Sequence, residues 1–308
     1  MRTNKMTTTY TPYIDVSVNA QWDDWQNYPQ GRPNPVYTQR VIDWKMDGLI
    51  LAFLTFEPKS RSACWAAQPT MPLEWAKPLA DDLNAFGKKV IVSFGGAANY
   101  DISAKLTVEE LVATYEKTIA LLGVTGLDFD LENDLYDADK ICQALKRVQK
   151  NYPDVALSFT LPVMPAGLTN TGLGIVRKAA DAGLDFVVNG MAMDYYNPAY
   201  YDHMGKAAND AVTSMANQMA AFYPTLSLRD LYNKVAVTPM IGKNDDMSMF
   251  TLENAREVGV YAREHNVAFI GSWSLNRDNP SNSQWVELES SSNPQQTYSC
   301  EYAKYFIG

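Results

Sequence analysis

Gly126-Leu127-Asp128-Phe129-Asp130-Leu131-Glu132-Asn133 reads as a strand with a carboxylate at every second position. Residues two apart in a strand share a face and sit about 6.6 Å apart along it. Asp128, Asp130 and Glu132 therefore point one way, and Leu127, Phe129 and Leu131 the other. An edge strand with one wet face shows the same alternation. Two features count against that here. The stretch lies in the middle of a series of strands, where a closed barrel has no solvent-facing side. Its carboxylates also climb toward the strand's C-terminal end, where barrel enzymes keep their chemistry.

Burying one unpaired charge is already expensive. Three carboxylates stacked in a row raise one another's pKa, so at least one is expected to hold a proton near neutral pH. Glu132, the outermost, is then the expected general acid, with Asp130 either hydrogen-bonding that proton from below or swinging toward substrate.

Working outward, seven further strand-like runs flank this one: 13–18, 49–56, 89–94, 155–161, 186–193, 234–240 and 267–275. Helical patterns lie between them. In Thr107–Gly123, Thr107 and Glu110 have capping-box spacing and Gly123 is a stop signal. In 137–152, Ile141, Leu145 and Val148 make one apolar face. Eight strands with intervening helices predict an α/β fold, the (β/α)8 TIM barrel, as a single domain over 1–308. Residues 1–10 are expected to be a disordered or tag-like extension. A doubly wound nucleotide-binding sheet lacks its fingerprint, because no G-x-G-x-x-G or Walker loop follows an early strand. The polar stretch 279–296 is expected to lead into a closing helix, "YSCEYAKYF".

Composition narrows the function further. The chain has 308 residues, 46% hydrophobic and 20% charged, with a net charge of -9 and scattered Lys and Arg. Nucleic acid and anionic membranes are therefore not expected partners. Cys64, Cys142 and Cys300 lie far apart, which suggests buried or idle thiols, one bridge remaining possible, and no zinc site. His265 is expected at a helix end, solvated or capping. No metal or cofactor is expected. The N-terminus has no apolar stretch and no segment is long enough to span a membrane.

The carboxylate row resembles the strand-4 signature of glycoside hydrolase family 18, the chitinase family, usually D-x-x-D-x-D-x-E. Ser93-Phe94-Gly95-Gly96 resembles the family's S-x-G-G at strand 3, and Met191–Tyr195 its strand-6 segment. Gly271–Asp278, containing Trp273, resembles the strand-8 end, and "PYIDVSV" and the closing helix resemble the two ends of single-barrel bacterial catalytic domains. Two positions depart from the pattern. Thr125 stands at the family's first Asp, which shortens any proton shuttle, and Met193 stands where many members place an aromatic.

The resemblance implies cleavage of β-1,4 linkages between N-acetylglucosamine units with retention, the substrate's own acetamido oxygen acting as nucleophile. It implies that Glu132 protonates the leaving oxygen, Asp130 orients the acetamido group, and Asp128 keeps Asp130 protonated or hydrogen-bonded. Tyr195 and Asp194 are expected to hold the acetamido carbonyl, with Trp273 as an apolar floor. Met193, Gly95, Gly96 and Trp65 complete the expected substrate-binding set. Trp22, Trp25, Trp65 and Trp75 fall in expected loops, where aromatic rings line sugar grooves, whereas Trp44 fits a helix core.

Residues 241–266 leave room for one loop and one helix, so no large α+β insertion is expected between strands 7 and 8; that predicts an open groove and endo-acting, non-processive cleavage. Chitin or its oligomers are the expected partners of a monomeric, secreted enzyme. The missing signal peptide points to a trimmed chain or another export route. The alternatives are an endo-β-N-acetylglucosaminidase acting on N-glycans and a catalytically silent chitin-binding lectin.

Overall fold

The computed structural model describes residues 7–308, in which strand and helix alternate throughout. The chain packs as two compact units. One holds Tyr13–Thr160 and Gly172–Phe186; the other holds Leu161–Thr171, Val187–Gly308 and the described part of Met1–Pro12.

In the first unit, β1 (Tyr13–Asp15), β2 (Gly48–Glu57), β3 (Lys89–Gly95), β4 (Gly126–Asp130) and the start of β5 (Ala156–Met164) are parallel and adjacent in chain order. Parallel neighbours need crossovers. These are supplied by α1 (Val36–Asp43), α2 (Lys77–Ala85), α3 (Val108–Leu122) and α4 (Ala138–Asn151), with α5 (Asn170–Asp181) following β5. The helices start where the local chemistry permits. Both halves of the Thr107–Glu110 capping box form at α3, and Gly123 ends it at φ 59°. Asp137 caps α4, which buries Ile141, Leu145 and Val148.

The apolar face of β4 makes the core of this unit. Phe129 lies between Phe94 (5.7 Å between ring centroids) and Phe159 (5.6 Å), with Tyr115 of α3 edge-on at 5.3 Å. Truncating such a ring costs roughly 3–5 kcal/mol, so Phe129→Ala removes the keystone of the stack. The opposite face is polar. The register sets Ser93, Asp128 and Ser158 side by side on β3, β4 and β5, and one step further out Gly95, Asp130 and Thr160.

In the second unit, β6 (Val187–Ala192), β7 (Val235–Pro239) and β8 (Phe269–Ile270) are parallel, and β8 also pairs with a short strand at Thr9–Tyr10. The expectation of a disordered 1–10 therefore fails at Thr9 and Tyr10, which gain a sheet partner; residues 1–6 lie outside the described residues. Strand 8 is much shorter than the expected 267–275, because the chain turns into a 3-10 helix at Leu275–Arg277. α6 (Met204–Met219) and α7 (Leu228–Tyr232) precede β7. Between β7 and β8 there is only a hairpin, Gly242–Lys243 with Met249–Phe250, and α8 (Leu252–His265).

His265 closes α8, stacked on Tyr261. The polar stretch before α9 (Glu301–Ile307) is packed rather than loose: Ser290–Asn293 and Gln296 are buried, and Asp278 accepts from Gln296 and from the Tyr302 and Ala303 amides. Trp44 is the half-buried cap after α1 and not a helix-core residue. All three cysteines are buried, and none forms a disulfide among the described residues. No helix among the described residues is long and apolar enough to cross a membrane.

Candidate active site

Asp128 is completely buried and has no ion-pair partner among the described residues. Four hydroxyls surround it: Tyr13 Oη (2.7 Å) and Ser93 Oγ (2.7 Å) donate to Oδ2, and Ser158 Oγ (2.6 Å) and Thr160 Oγ1 (2.6 Å) donate to Oδ1. A carboxylate offers about four lone-pair sites, so this one is saturated. Burial pushes its pKa up, and the four bonds pull it back.

One step along β4, Asp130 is also buried, but its Oδ1 has no hydrogen-bond partner among the described residues. Its pKa is driven well above the usual carboxylate range, first by burial, then by a side-chain hydrogen bond with Glu132 and by the negative charges of Glu132 and Asp128. Glu132 lies two residues beyond Asp130, past the end of the strand, and is half-buried. Depth therefore sorts the row: a carboxyl saturated by four hydroxyls at the bottom, one whose pKa is driven well up above it, and a half-buried carboxyl at the rim.

Of the two parts expected of Asp128, the effect of its charge on Asp130 is the one present: its own acceptors are occupied by the four hydroxyls, and it raises the Asp130 pKa. Thr125, at which the expected proton shuttle is shortened, stands apart from the row. Three residues from Asp128, it falls on the opposite face of the strand, where it is exposed and donates to Val90 O at 3.2 Å. The hydroxyls of Tyr13, Ser158 and Thr160 escaped the sequence reading. Their signal is a lone hydroxyl recurring at alternate positions of otherwise apolar strands, visible only once register is known.

Gly95 and Gly96 serve the backbone. Gly95 has φ 101°, and a Cβ there would lie 2.1 Å from Asp130 O; Gly96 has φ 95° and donates to Asp130 O at 3.0 Å. Only glycine lets the end of β3 come this close to the carboxyl-bearing residue. Trp65 is not a sugar platform: it lies in a strand, Ser62–Trp65, paired with β2, is wholly buried, and donates its indole N–H to Leu73 O at 3.2 Å. Trp75 is likewise buried, its N–H on Gln30 O, whereas Trp22 and Trp25 are exposed.

In the second unit, Met193, Asp194 and Tyr195 lie on the segment after β6, and half-buried Trp273 follows β8. Asp194 is pushed up to about 7 by burial and then by the negative charge of Asp245. Tyr195 is 6% exposed, sits edge-on to Tyr200 (5.4 Å between ring centroids), and its hydroxyl has no partner among the described residues. The next residue, Tyr196, is 71% exposed.

A carboxyl with a strongly raised pKa beside a second carboxyl, at the C-terminal end of a parallel strand, fits the acid chemistry of a glycosidase on a (β/α)8 scaffold. No family model matches the chain. It is 31% identical over 294 residues to the probable bifunctional chitinase/lysozyme of Escherichia coli (strain K12), covering 88% of this chain and 31% of the relative. To Endochitinase 11 of Metarhizium anisopliae it is 31% identical over 289 residues, covering 88% and 52%. The chain thus spans about half or less of these two curated relatives.

Among solved structures, the catalytic domain of the hyperthermophilic chitinase from Pyrococcus furiosus superposes with a TM-score of 0.84 at 30% identity, covering 98% of this chain and 94% of that one. Catalytic-site mutants of active domain 2 of that chitinase have been solved in complex with chito-oligosaccharides. The chain belongs to the chitinases of glycoside hydrolase family 18 and has the α/β, (β/α)8 type of fold of that catalytic domain.

Proposed function

We propose that this chain hydrolyses β-1,4 linkages between N-acetylglucosamine units of chitin and its oligomers, with retention and by substrate assistance. The observation that carries this is the Asp130–Glu132 pair: both carboxyls come from one short segment, the end of β4 and the residues just past it, and the pKa of the inner one is driven well above the usual carboxylate range. Two-carboxylate retaining enzymes need a nucleophile across the sugar from the acid. A pair on one short segment offers none, so the acetamido oxygen takes that part. Glu132 gives its proton to the glycosidic oxygen as that oxygen leaves C1. The acetamido oxygen bonds to C1, and the resulting oxazolinium is opened by water, whose proton returns to Glu132. Asp130 donates its hydrogen bond to the acetamido group, and the buried Asp128 charge favours positive charge above it.

We further propose endo-acting, non-processive cleavage by a monomer, on the ground that only a hairpin and α8 separate β7 from β8. The test is proton NMR of a chitin oligomer during the first turnovers. The β-anomer is expected at the new reducing end, and an initial α-anomer would overturn the mechanism. Assayed in parallel, a high-mannose glycoprotein cleaved faster than chitin oligomers would move the substrate to N-glycans. Binding without turnover would make the chain a lectin.

A further inference from the structure

The turn after β7, Asn244-Asp245-Asp246-Met247-Ser248, carries buried polar side chains that the proposed chemistry does not use. Asn244 is fully buried. Its Nδ2 donates to Met240 O (2.9 Å) and Gly242 O (3.2 Å), and its backbone N–H donates to Ser248 O (2.9 Å), which closes the turn. That leaves Asn244 Oδ1, which accepts the Asp194 N–H at 3.2 Å.

Asp246 is buried too. Its Oδ1 accepts the Ser248 N–H (3.0 Å) and Oγ (2.6 Å), while Oδ2 accepts the Tyr196 N–H at 3.1 Å. The Asp246 N–H in turn donates to Asp194 Oδ1 at 3.2 Å, and Tyr201 Oη donates to Asp246 O at 2.7 Å.

The two residues whose amides are captured are also the two with unusual backbones. Asp194 has φ 50° and Tyr196 φ 52°, in the left-handed region. An L-residue gives up roughly 1–2 kcal/mol there, so such a conformation persists only where its surroundings hold it. The holders are the side chains of Asn244 and Asp246. Their grip leaves the Tyr196 ring 71% exposed and the Asp194 carboxyl bonded to the turn.

We propose that Asn244 and Asp246 are positioning residues, which fix the strained segment after β6 so that the Asp194 carboxyl and the Tyr196 ring meet the sugar chain. This rests on the reading of the chain as a hydrolase of N-acetylglucosamine polymers. Tyr196 then serves as a flat apolar platform, and the turn sets substrate affinity without joining the chemistry.

The test is a double-mutant cycle on a soluble chitin oligomer. Asp246→Ala raises KM roughly tenfold with kcat within about threefold of the parent, because a displaced platform weakens binding before it affects bond breaking. Tyr196→Ala, an exposed truncation that leaves the fold intact, raises KM by itself. In the Tyr196→Ala background the Asp246→Ala effect on KM shrinks to below about twofold, since the two act through one another. A merely structural Asp246 gives the same KM ratio in both backgrounds, and that result overturns the proposal. So does an unchanged KM in Tyr196→Ala, which needs no Asp246 variant to fold. A parent inactive on every oligomer removes the parent reading and this proposal with it.

Discussion

Two acidic clusters in this molecule dispose of their charge in different ways. On β4, Asp128 is held by four side-chain hydroxyls, and Asp130 is left with one oxygen unpartnered among the described residues and a pKa driven well up. In the turn after β7, Asp246 is held mainly by backbone amides, and Asp194, beside Asp245, takes up a proton at about 7. Neither cluster is closed by an ion pair among the described residues. The salt bridges recorded among the described residues, such as Lys77–Asp81 and Lys117–Glu74, join exposed side chains. Buried carboxylates here are managed by hydrogen-bond donors or by protonation. Hydroxyls that can turn suit a charge that must be kept while chemistry proceeds nearby; fixed amides suit a charge that ties two loops together.

The contrast breaks first at Glu132. Glu132→Gln keeps the hydrogen bond to Asp130 but has no proton to give, and turnover of a chromogenic chitobioside is expected to fall at least about 10²-fold while calorimetric binding of a chitin oligomer persists. Unchanged hydrolysis removes the residue from the reaction. Next comes Ser158→Ala, which strips one donor from the fully buried Asp128. Urea unfolding at neutral pH is expected to show a loss of about 2 kcal/mol, the range for hydrogen bonds to a charged group. A loss near zero would mean that the remaining hydroxyls already satisfy the anion.

The matching change in the turn, Ser248→Ala, leaves Asp246 its backbone donors. The expected cost is smaller, about 1 kcal/mol, and a cost above that of Ser158→Ala inverts the comparison.

The smallest effect is in pH dependence. Asp194 is raised from the ordinary carboxylate value to about 7, so the folded chain keeps a proton that the unfolded chain releases. Its contribution to stability is complete below the unfolded pKa of roughly 4 and is lost as pH rises through the folded value. Thermal unfolding followed across that window should therefore decline, and Asp194→Asn should flatten part of the decline. Parallel slopes in parent and variant would show that Asp194 does not carry that proton.

Much of this was legible in the sequence because it depends on local period. The alternation in 126–132 told one face of β4 from the other. Thr107 with Glu110 marked the start of α3, and Ile141, Leu145 and Val148 marked the buried side of α4. What escaped depends on residues distant in the chain. Trp65 read as a loop aromatic because its strand exists only as a partner for β2. Thr9 and Tyr10 read as a tail because their partner, Phe269–Ile270, lies at the other end of the chain. Which of the adjacent tyrosines 195 and 196 is buried also escaped, because neither period nor spacing separates them.

The sequence by itself determined that carboxylates would line one face of a central strand, since side-chain direction in a strand alternates whatever its neighbours are. Only the tertiary structure decided whose pKa is driven up furthest. Protonation depends on solvent access and on donors brought from other strands. Asp128 has hydroxyls from β1, β3 and β5 around it, and Asp130 has an oxygen that nothing in the described chain meets.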